Sequence, residues 1–547
     1  MCICSTLWTI YNVLHIFLFL TSFTLSYRLN NIKFNNVNGT KTFSNPSLID
    51  RNNISSSSNF QLFDVLNHPA HENNNYSQHN ENRLTYDNVL NDLKSQEVRV
   101  RFAPSPTGPL HIGSLRTYIY NYIFAKKNKG KLILRIDDTD SSRNNQDSLK
   151  DIFSSLNWIG LVWDEGVDRL NGDMYYQSNR KEIYKKFAQK LIDNNKAYYC
   201  FCRENIFTKF LSKIFKIKFN YKCKKCPKLS QNEIKTKLKN LKFIILLRSE
   251  GDDFDDFILV RRNGVSTYNF SSCVDDVLMN VTHIIRGSEH TNNLHKQEYL
   301  FNLLDYKCPK FVHLPLLHDE QKTKLSKRNP SSKDYTVKNL RLNGICRLPL
   351  INYLTFLGTR FISSNEIYEV ADIIKMFSFD LLNNEPAVFD YKKLLHLNRK
   401  YINNLSIEEF KSEILNFQQF YNENKEPDED EMNTSLIMDQ LLEIYQKRLV
   451  TLRDYFNLVN SALGYNYENL TKNKDEELDS GFKEWLKFEL NLIFEKSKNS
   501  VDLHANFANL VNEAMVSGKK NLKHLRFLLT GEEVGPSLID LVWLVIL

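Results

Sequence analysis

Val98 to Asp140 reads VRVRFAPSPTGPLHIGSLRTYIYNYIFAKKNKGKLILRIDDTD, and its punctuation decides the fold. A short β-branched run, Val98 and Val100, enters a turn built from Pro104, Pro106, Gly108 and Pro109. Apolar residues then recur at roughly helical spacing from Leu115 to Phe124. Asn128 to Gly130 stops that helix, and a second strand is predicted over Lys131 to Ile136. Strand, tight loop, helix and strand make a βαβ unit whose loop lies at the carboxyl end of the first strand. Such a loop suits an anion: backbone N–H groups at a helix start point outward with partial positive charge, and Pro and Gly let the chain approach a phosphate closely. His111 and Gly113 sit in that loop.

Ala103 to Gly113, APSPTGPLHIG, resembles the HIGH motif of class I aminoacyl-tRNA synthetases in the form used by glutamyl-tRNA synthetases. Far downstream, Lys324 to Arg328, KLSKR, resembles the second class I signature, the KMSKS loop, and the IDDTD ending at Asp140 stands between them in the right order. A βαβ unit whose loop merely packs would leave the lysine-rich second loop unexplained. The resemblance implies an α/β protein: a Rossmann-like catalytic domain over 97–337, with an inserted α/β acceptor-binding domain over about 176–267. A helical stem-contact region over 338–402 and an all-helical C-terminal anticodon-binding domain over 403–547 would follow.

A chain of 547 residues has room for three or four domains with large cores. The net charge of +8 falls wholly on 97–547, because residues 1–96 hold six basic and six acidic side chains. A mildly basic body suits a polyanion such as tRNA, although the abundance of Lys and Asn throughout equally fits nucleotide bias. Residues 7–25 are apolar with no charge before Arg28; their polar interruptions favour a signal peptide over 1–26 rather than a membrane anchor. Tyr27 to Asn59 is rich in Asn and Ser, with Arg28, Lys33, Lys41 and Arg51 against the single Asp50, a composition that cannot bury enough apolar surface to order itself. Together, 1–96 resembles the bipartite leader that directs proteins to the plastid (apicoplast) of apicomplexan parasites, with a mitochondrial presequence as the alternative. Cleavage would remove Cys2 and Cys4 and leave a monomer with no stable membrane association.

Asn157 to Gly166, NWIGLVWDEG, and the Tyr176, Gln177, Ser178 and Arg180 pattern resemble further family segments, leading into an amphipathic helix over Arg180 to Asn194. Arg180 is read as a solvated helix arginine or as a contact to the tRNA acceptor end. Cys200, Cys202, Cys223 and Cys226 form C-x-C-x20-C-x2-C, close thiolate pairs that can close a tetrahedral, structural zinc site. Some bacterial relatives carry zinc at this place, with a C-x-C and a later Y-x-C, and Tyr221-Lys222-Cys223 fits; Cys226 departs from their ligands. Between the pairs, lysines 216, 218, 222, 224 and 225 alternate with Ile217, Phe219 and Tyr221, a strand with one basic face for stem phosphates or for water.

Phe257 to Arg261 and Val277 to Ile285 are β-rich, with an Asn263-Gly264 hairpin turn between the first and the next strand. Glutamate presents a carboxylate that guanidinium donors grip bidentately, with a phenol as a further donor. By the resemblance, Arg101, Tyr268 and Arg286 do this, and such a pocket rejects glutamine by on the order of 10⁴. Asp137 stands where the family binds the α-amino group with a glutamate; one methylene shorter, it requires an inward backbone or a bridging water. Ala103, Ser105, Asn269 and Ser272 line the same pocket by resemblance. The resemblance places ATP on His111, Gly113, Glu289, Leu317, Lys324, Ser326 and Lys327, with His111, Gly113, Lys324 and Lys327 catalytic. The ammonium groups of Lys324 and Lys327 and bound Mg²⁺ would meet charge that builds only in the transition state of adenylate formation. Positioning plus charge stabilisation is then the mechanism.

From Lys338 the pattern turns helical, with stops at Gly344 and Gly358 and further helices over Ile407 to Phe417, Thr434 to Tyr455 and Glu477 to Lys496. The ending, Arg526 to Leu547, resembles the family's LTG-E-GP-L segment. The expected activity is a glutamate–tRNA ligase acting on ATP, L-glutamate and tRNA-Glu, with tRNA-Gln as a further candidate. Glutaminyl specificity is disfavoured by the helical C-terminus, since glutaminyl and cytosolic glutamyl enzymes use β-barrels there. A truncated tRNA-modifying relative would lack that domain, and a catalytically dead RNA-binding protein would have lost His111 or the KLSKR lysines.

Overall fold

A computed structural model describes residues 97–463 and the single positions 509 and 512, leaving out 203–222, 250–254, 320–321, 324–334, 361–366, 433–436 and a few isolated positions. The leader, the KLSKR loop, the basic strand before Cys223, the helix expected over 477–496 and the C-terminal ending lie outside the described residues. The described chain belongs to two compact units that meet in sequence at Asn404 and Leu405.

In the first unit, β1 (Arg99–Phe102) leads through the Pro-rich loop to α1 (Ile112–Lys127) and β2 (Lys131–Leu134), the βαβ unit expected from the sequence. Gly130 permits this return: a Cβ there would stand 2.1 Å from the Val98 carbonyl oxygen, which accepts from Lys131 N–H at 2.8 Å. Helix α2 (Gln146–Ile159) and the short β3 (Glu165–Gly166) follow, with β1, β2 and β3 parallel in that spatial order.

The chain then leaves the sheet. Helix α3 (Lys181–Asp193), β4 (Ala197–Cys200), α4 (Gln231–Asn240), β5 (Ile244–Leu247) and β6 (Phe257–Val260) build a separate antiparallel sheet in the order β4-β5-β6. The Asn263-Gly264 turn forms, with Gly264 at φ +78° and Arg261 N–H bonded to Val265, but it returns to a single bridge between Val260 and Ser266 rather than to a full strand. Helix α5 (Tyr268–Leu278) comes next, so the β-rich reading of Val277 to Ile285 is corrected: strand β7 covers His283–Gly287 alone. The β-branched Val277 fits a helix because it packs in the core beside Val274 and Phe270.

Helix α6 (Leu294–Leu303) connects β7 to the parallel β8 (Lys310–Leu314), and β7 lies beside β1, with Thr282 N–H donating to the Arg99 carbonyl at 2.9 Å. The layer therefore runs β3-β2-β1-β7-β8, and strand order reverses between β1 and β7, where open α/β sheets hold their ligands. Alternate residues face opposite sides: Leu132, Leu134 and Ile285 pack under α1 and α2, while Ile133 and Ile284 pack under α3, α5 and α6. The remaining elements of this unit are β9 (Leu317–His318), α7 (Val337–Leu342), α8 (Arg347–Phe356), α9 (Val370–Met376), β10 (Ala387–Val388) and α10 (Tyr391–Asn404). Gly344 and Gly358 end α7 and α8 at φ +78° and +74°.

The second unit is helical where described: α11 (Ile407–Asn424), α12 (Asp439–Gln446) and α13 (Leu452–Leu463). The single helix expected over Thr434 to Tyr455 is two, because the Asp454 carboxylate accepts from Val450 and Thr451 N–H (3.1 and 2.7 Å) and starts a new helix there. Among the described residues no helix is long and apolar enough to cross a membrane.

Candidate active site

Charged and polar side chains from several elements meet at the carboxyl ends of β1 and β7, where open α/β sheets place their ligand crevice. Arg101 comes from β1, Arg286 from β7, Asp137 from the chain just after β2, and Tyr268 and Asn269 from the first turn of α5. Asp137 N–H donates to the Pro104 carbonyl at 3.1 Å, which seats it against the Pro-rich loop. Asn269 Oδ1 is buried with no hydrogen-bond partner among the described residues. Ala103 is half-buried and Ser105 exposed in that loop, while Ser272, further along α5, is buried.

Charge in this crevice is organised by residues that carried no role in the sequence reading. Arg135 is fully buried; it donates from Nε to Asp137 Oδ1 (2.8 Å) and from Nη1 to Asp276 Oδ1 (2.7 Å). Arg101 Nε lies 3.3 and 3.4 Å from the two oxygens of Asp276. Asp275 accepts from Arg180 Nε (2.7 Å), Gln177 Nε2 (2.8 Å) and the Tyr184 hydroxyl (2.8 Å). Arg180 is thus neither solvated nor on the surface for tRNA: it is 5% exposed, and its buried counter-charge on α5 is 95 residues away. The nearest sequence signal was the doubled aspartate Asp275-Asp276 itself, since two adjacent carboxylates in an apolar helix must find cations.

Arg286 is held differently. It donates from Nη1 to Gln297 Oε1 (2.6 Å), from Nε to His313 Nε2 (3.2 Å) and from Nη2 to the His290 carbonyl (3.3 Å), and it hydrogen-bonds with Tyr268. Burial lowers its pKa and raises that of Tyr268. Burial also pushes Asp137 up to about 6 against the pull of Arg135, and with the neighbouring Arg286 it depresses His313 to about 4. Around the crevice the described residues bury four guanidinium groups, Arg101, Arg135, Arg180 and Arg286, against three carboxylates, Asp137, Asp275 and Asp276.

At the end of the Pro-rich loop that follows β1, His111 caps α1, its Nδ1 accepting from Gly113 N–H at 3.2 Å. A Cβ on Gly113 would meet only His111 Nδ1, at 3.6 Å, so protein packing does not require a glycine there. Leu317 is buried in β9, and Glu289 is exposed just after β7, with its carboxylate folded back over Gly287. Thr336 forms an antiparallel bridge with His111, and Val337 N–H donates to the Leu110 carbonyl at 2.9 Å. The segment that carries Lys324, Ser326 and Lys327 is itself outside the described residues.

The four cysteines converge at the far end of the insert. Their Sγ atoms all lie within 4.8 Å of one another, with Cys202 at 3.8 Å from Cys223 and 3.6 Å from Cys226. These separations are far too long for a disulfide and close to the roughly 3.8 Å edge of a tetrahedron with Zn–S bonds of about 2.3 Å. The donor set therefore fits zinc.

Residues 97–396 match the family described as tRNA synthetases class I (E and Q), catalytic domain, and residues 407–545 match an anticodon binding domain. The chain belongs to this class of tRNA synthetases. It is 34% identical to the glutamate–tRNA ligase of Carboxydothermus hydrogenoformans over 81% of its length and 96% of the relative's. It is 37% identical to glutamate–tRNA ligase 2 of Fervidobacterium nodosum over 69% of its length and 77% of that protein's. A crystal structure of a glutamate tRNA ligase from Elizabethkingia meningosepticum in complex with its amino acid has a TM-score of 0.65 and 25% identity, covering 82% of this chain and 97% of that one.

Proposed function

We propose that the chain is a glutamate–tRNA ligase whose crevice takes L-glutamate at the arginine end and ATP at the His111 end. The observation that carries the reading is the buried charge: four guanidinium groups against three carboxylates leave one positive charge, and L-glutamate, with two carboxylates and one ammonium, brings one negative charge. Glutamine brings none. Arg101, Arg286 and Tyr268 orient the side-chain carboxylate, Asp137 accepts from the α-ammonium, and Ala103, Ser105, Asn269 and Ser272 complete the pocket wall. The α-carboxylate is then free to attack the α-phosphate of ATP, expelling pyrophosphate, and the terminal ribose hydroxyl of tRNA attacks the carbonyl carbon of the resulting glutamyl-adenylate, forming the ester and releasing AMP. His111, Gly113, Glu289, Leu317 and the Lys324, Ser326 and Lys327 loop position the nucleotide, which enters as its magnesium complex. Zinc on Cys200, Cys202, Cys223 and Cys226 would close the insert structurally.

Exchange of labelled pyrophosphate into ATP, measured with each amino acid with and without tRNA, tests the reading: glutamate-dependent exchange supports it, and exchange driven equally by glutamine sinks it. We further hypothesise that both tRNA-Glu and tRNA-Gln are charged, and glutamylation of the tRNA-Glu transcript alone would end that idea. The leader composition supports import into a plastid, with a mitochondrion as the alternative. Sequencing the native N-terminus decides whether processing extends past residue 30.

A further inference from the structure

The two guanidinium groups assigned above to the side-chain carboxylate, Arg101 and Arg286, are held by the protein in different ways. Arg101 lies against the carboxylate of Asp276. Arg286, 4% exposed, has neutral acceptors throughout: Gln297 Oε1 at 2.6 Å, His313 Nε2 at 3.2 Å and the His290 carbonyl at 3.3 Å, with the Phe311 ring 4.9 Å beneath its guanidinium carbon.

We propose that Gln297 and His313 are the positioning residues that set specificity for an acidic amino acid, because they fix Arg286 in place without neutralising it and so reserve its charge for the substrate carboxylate. The inference rests on the glutamate reading above and deepens it. A fixed carboxylate at either position would orient the arginine equally well, but it would occupy the field that the ligand must meet. A guanidinium only donates, so Gln297 must turn its Oε1, not its Nε2, toward Arg286, and His313 must carry its proton on Nδ1. Burial and Arg286 itself keep His313 uncharged, with His290 and Glu289 the other titratable groups near it. His313 is the direct register neighbour of Arg286 across β7 and β8, and Gln297 is 2% exposed on α6, so both acceptors stand on rigid elements.

The test is steady-state charging of a tRNA-Glu transcript by the full chain, with L-glutamate as substrate and L-glutamine as competitor. Gln297→Glu changes one atom type and takes the pocket's buried charge from +1 to zero. It should raise KM for glutamate on the order of 100-fold, with kcat much less affected, while glutamine inhibits as well as before or better. His313→Glu should act likewise at a less buried site, and His313→Gln, which keeps a neutral acceptor, should recover most of the glutamate affinity lost in His313→Glu. A Gln297→Glu enzyme with wild-type KM and unchanged glutamate-to-glutamine selectivity would overturn the proposal. So would equal damage from His313→Gln and His313→Glu, which would assign the effect to shape. If Gln297→Glu fails to fold by thermal melting, the His313 pair decides. If the unmodified enzyme does not charge tRNA with glutamate, it is the reading of function, not this one, that has failed.

Discussion

Asp137 titrates inside the range in which such an enzyme is assayed, since burial pushes it up to about 6. In the role proposed for it, a proton taken up below that pH ends its attraction for the α-ammonium, so KM for glutamate should rise toward about tenfold per pH unit as pH falls. Asp137→Asn should raise KM at neutral pH and abolish that dependence; a KM that stays flat from about pH 8 to about pH 5 in the unmodified enzyme would remove Asp137 from the role. Gly113 makes a prediction of opposite signs. Its Cβ position is open apart from His111 Nδ1 at 3.6 Å, so Gly113→Ala should stabilise the helix by roughly 0.5–1 kcal/mol in thermal unfolding, yet raise KM for ATP by filling space kept for the nucleotide. Loss of stability, or unchanged ATP affinity, would contradict it. The family resemblance singled out Arg101, Asp137, Tyr268 and Arg286, and the structure brings these four into one another's electrostatic reach. Arg135, Asp276, Gln297 and His313 were not legible in the sequence, because each acts through another side chain, and which one is decided by strand order rather than by neighbours in the chain.

Buried ion pairs join elements here in addition to apolar packing. Helix α3 of the insert is bolted to α5 through Arg180 and Tyr184, both on Asp275. Arg180→Ala leaves that carboxylate buried with neutral donors only, apart from the Arg135 guanidinium at 3.8 Å, and should destabilise the protein by about 3 kcal/mol in urea unfolding. A cost below about 0.5 kcal/mol would mean the carboxylate is reached by water. Helical spacing made Arg180 look solvated because its sequence neighbours, Asn179, Lys181 and Glu182, are polar; only the tertiary approach of α5 buries it. The β-rich appearance of Val277 to Ile285 misled for a related reason: apolar residues without clear period serve a buried helix end as well as a strand. The Pro-rich loop and α1 were read correctly because their punctuation is local.

Across the whole molecule, pH acts on stability as well as on binding. His283, at the head of β7 and 4.9 Å from the Phe124 ring, is depressed to about 4 by burial and by Lys310. Below about pH 6.5 the unfolded chain takes a proton that the folded one refuses until about pH 4, so stability falls across that window, by up to about 3 kcal/mol from this group. Chemical denaturation of the unmodified protein and of His283→Asn should differ most at neutral pH and converge toward pH 4; parallel pH profiles would contradict it. The bridge between His111 and Thr336 has a different consequence. The Val337 N–H to Leu110 carbonyl bond lies right beside it, so the entry to α7 and the start of α1 are held by backbone alone. Side-chain substitutions at these positions would leave that tie in place, whereas a proline at 337, which has no N–H to give, would cut it and let the two helix starts drift apart.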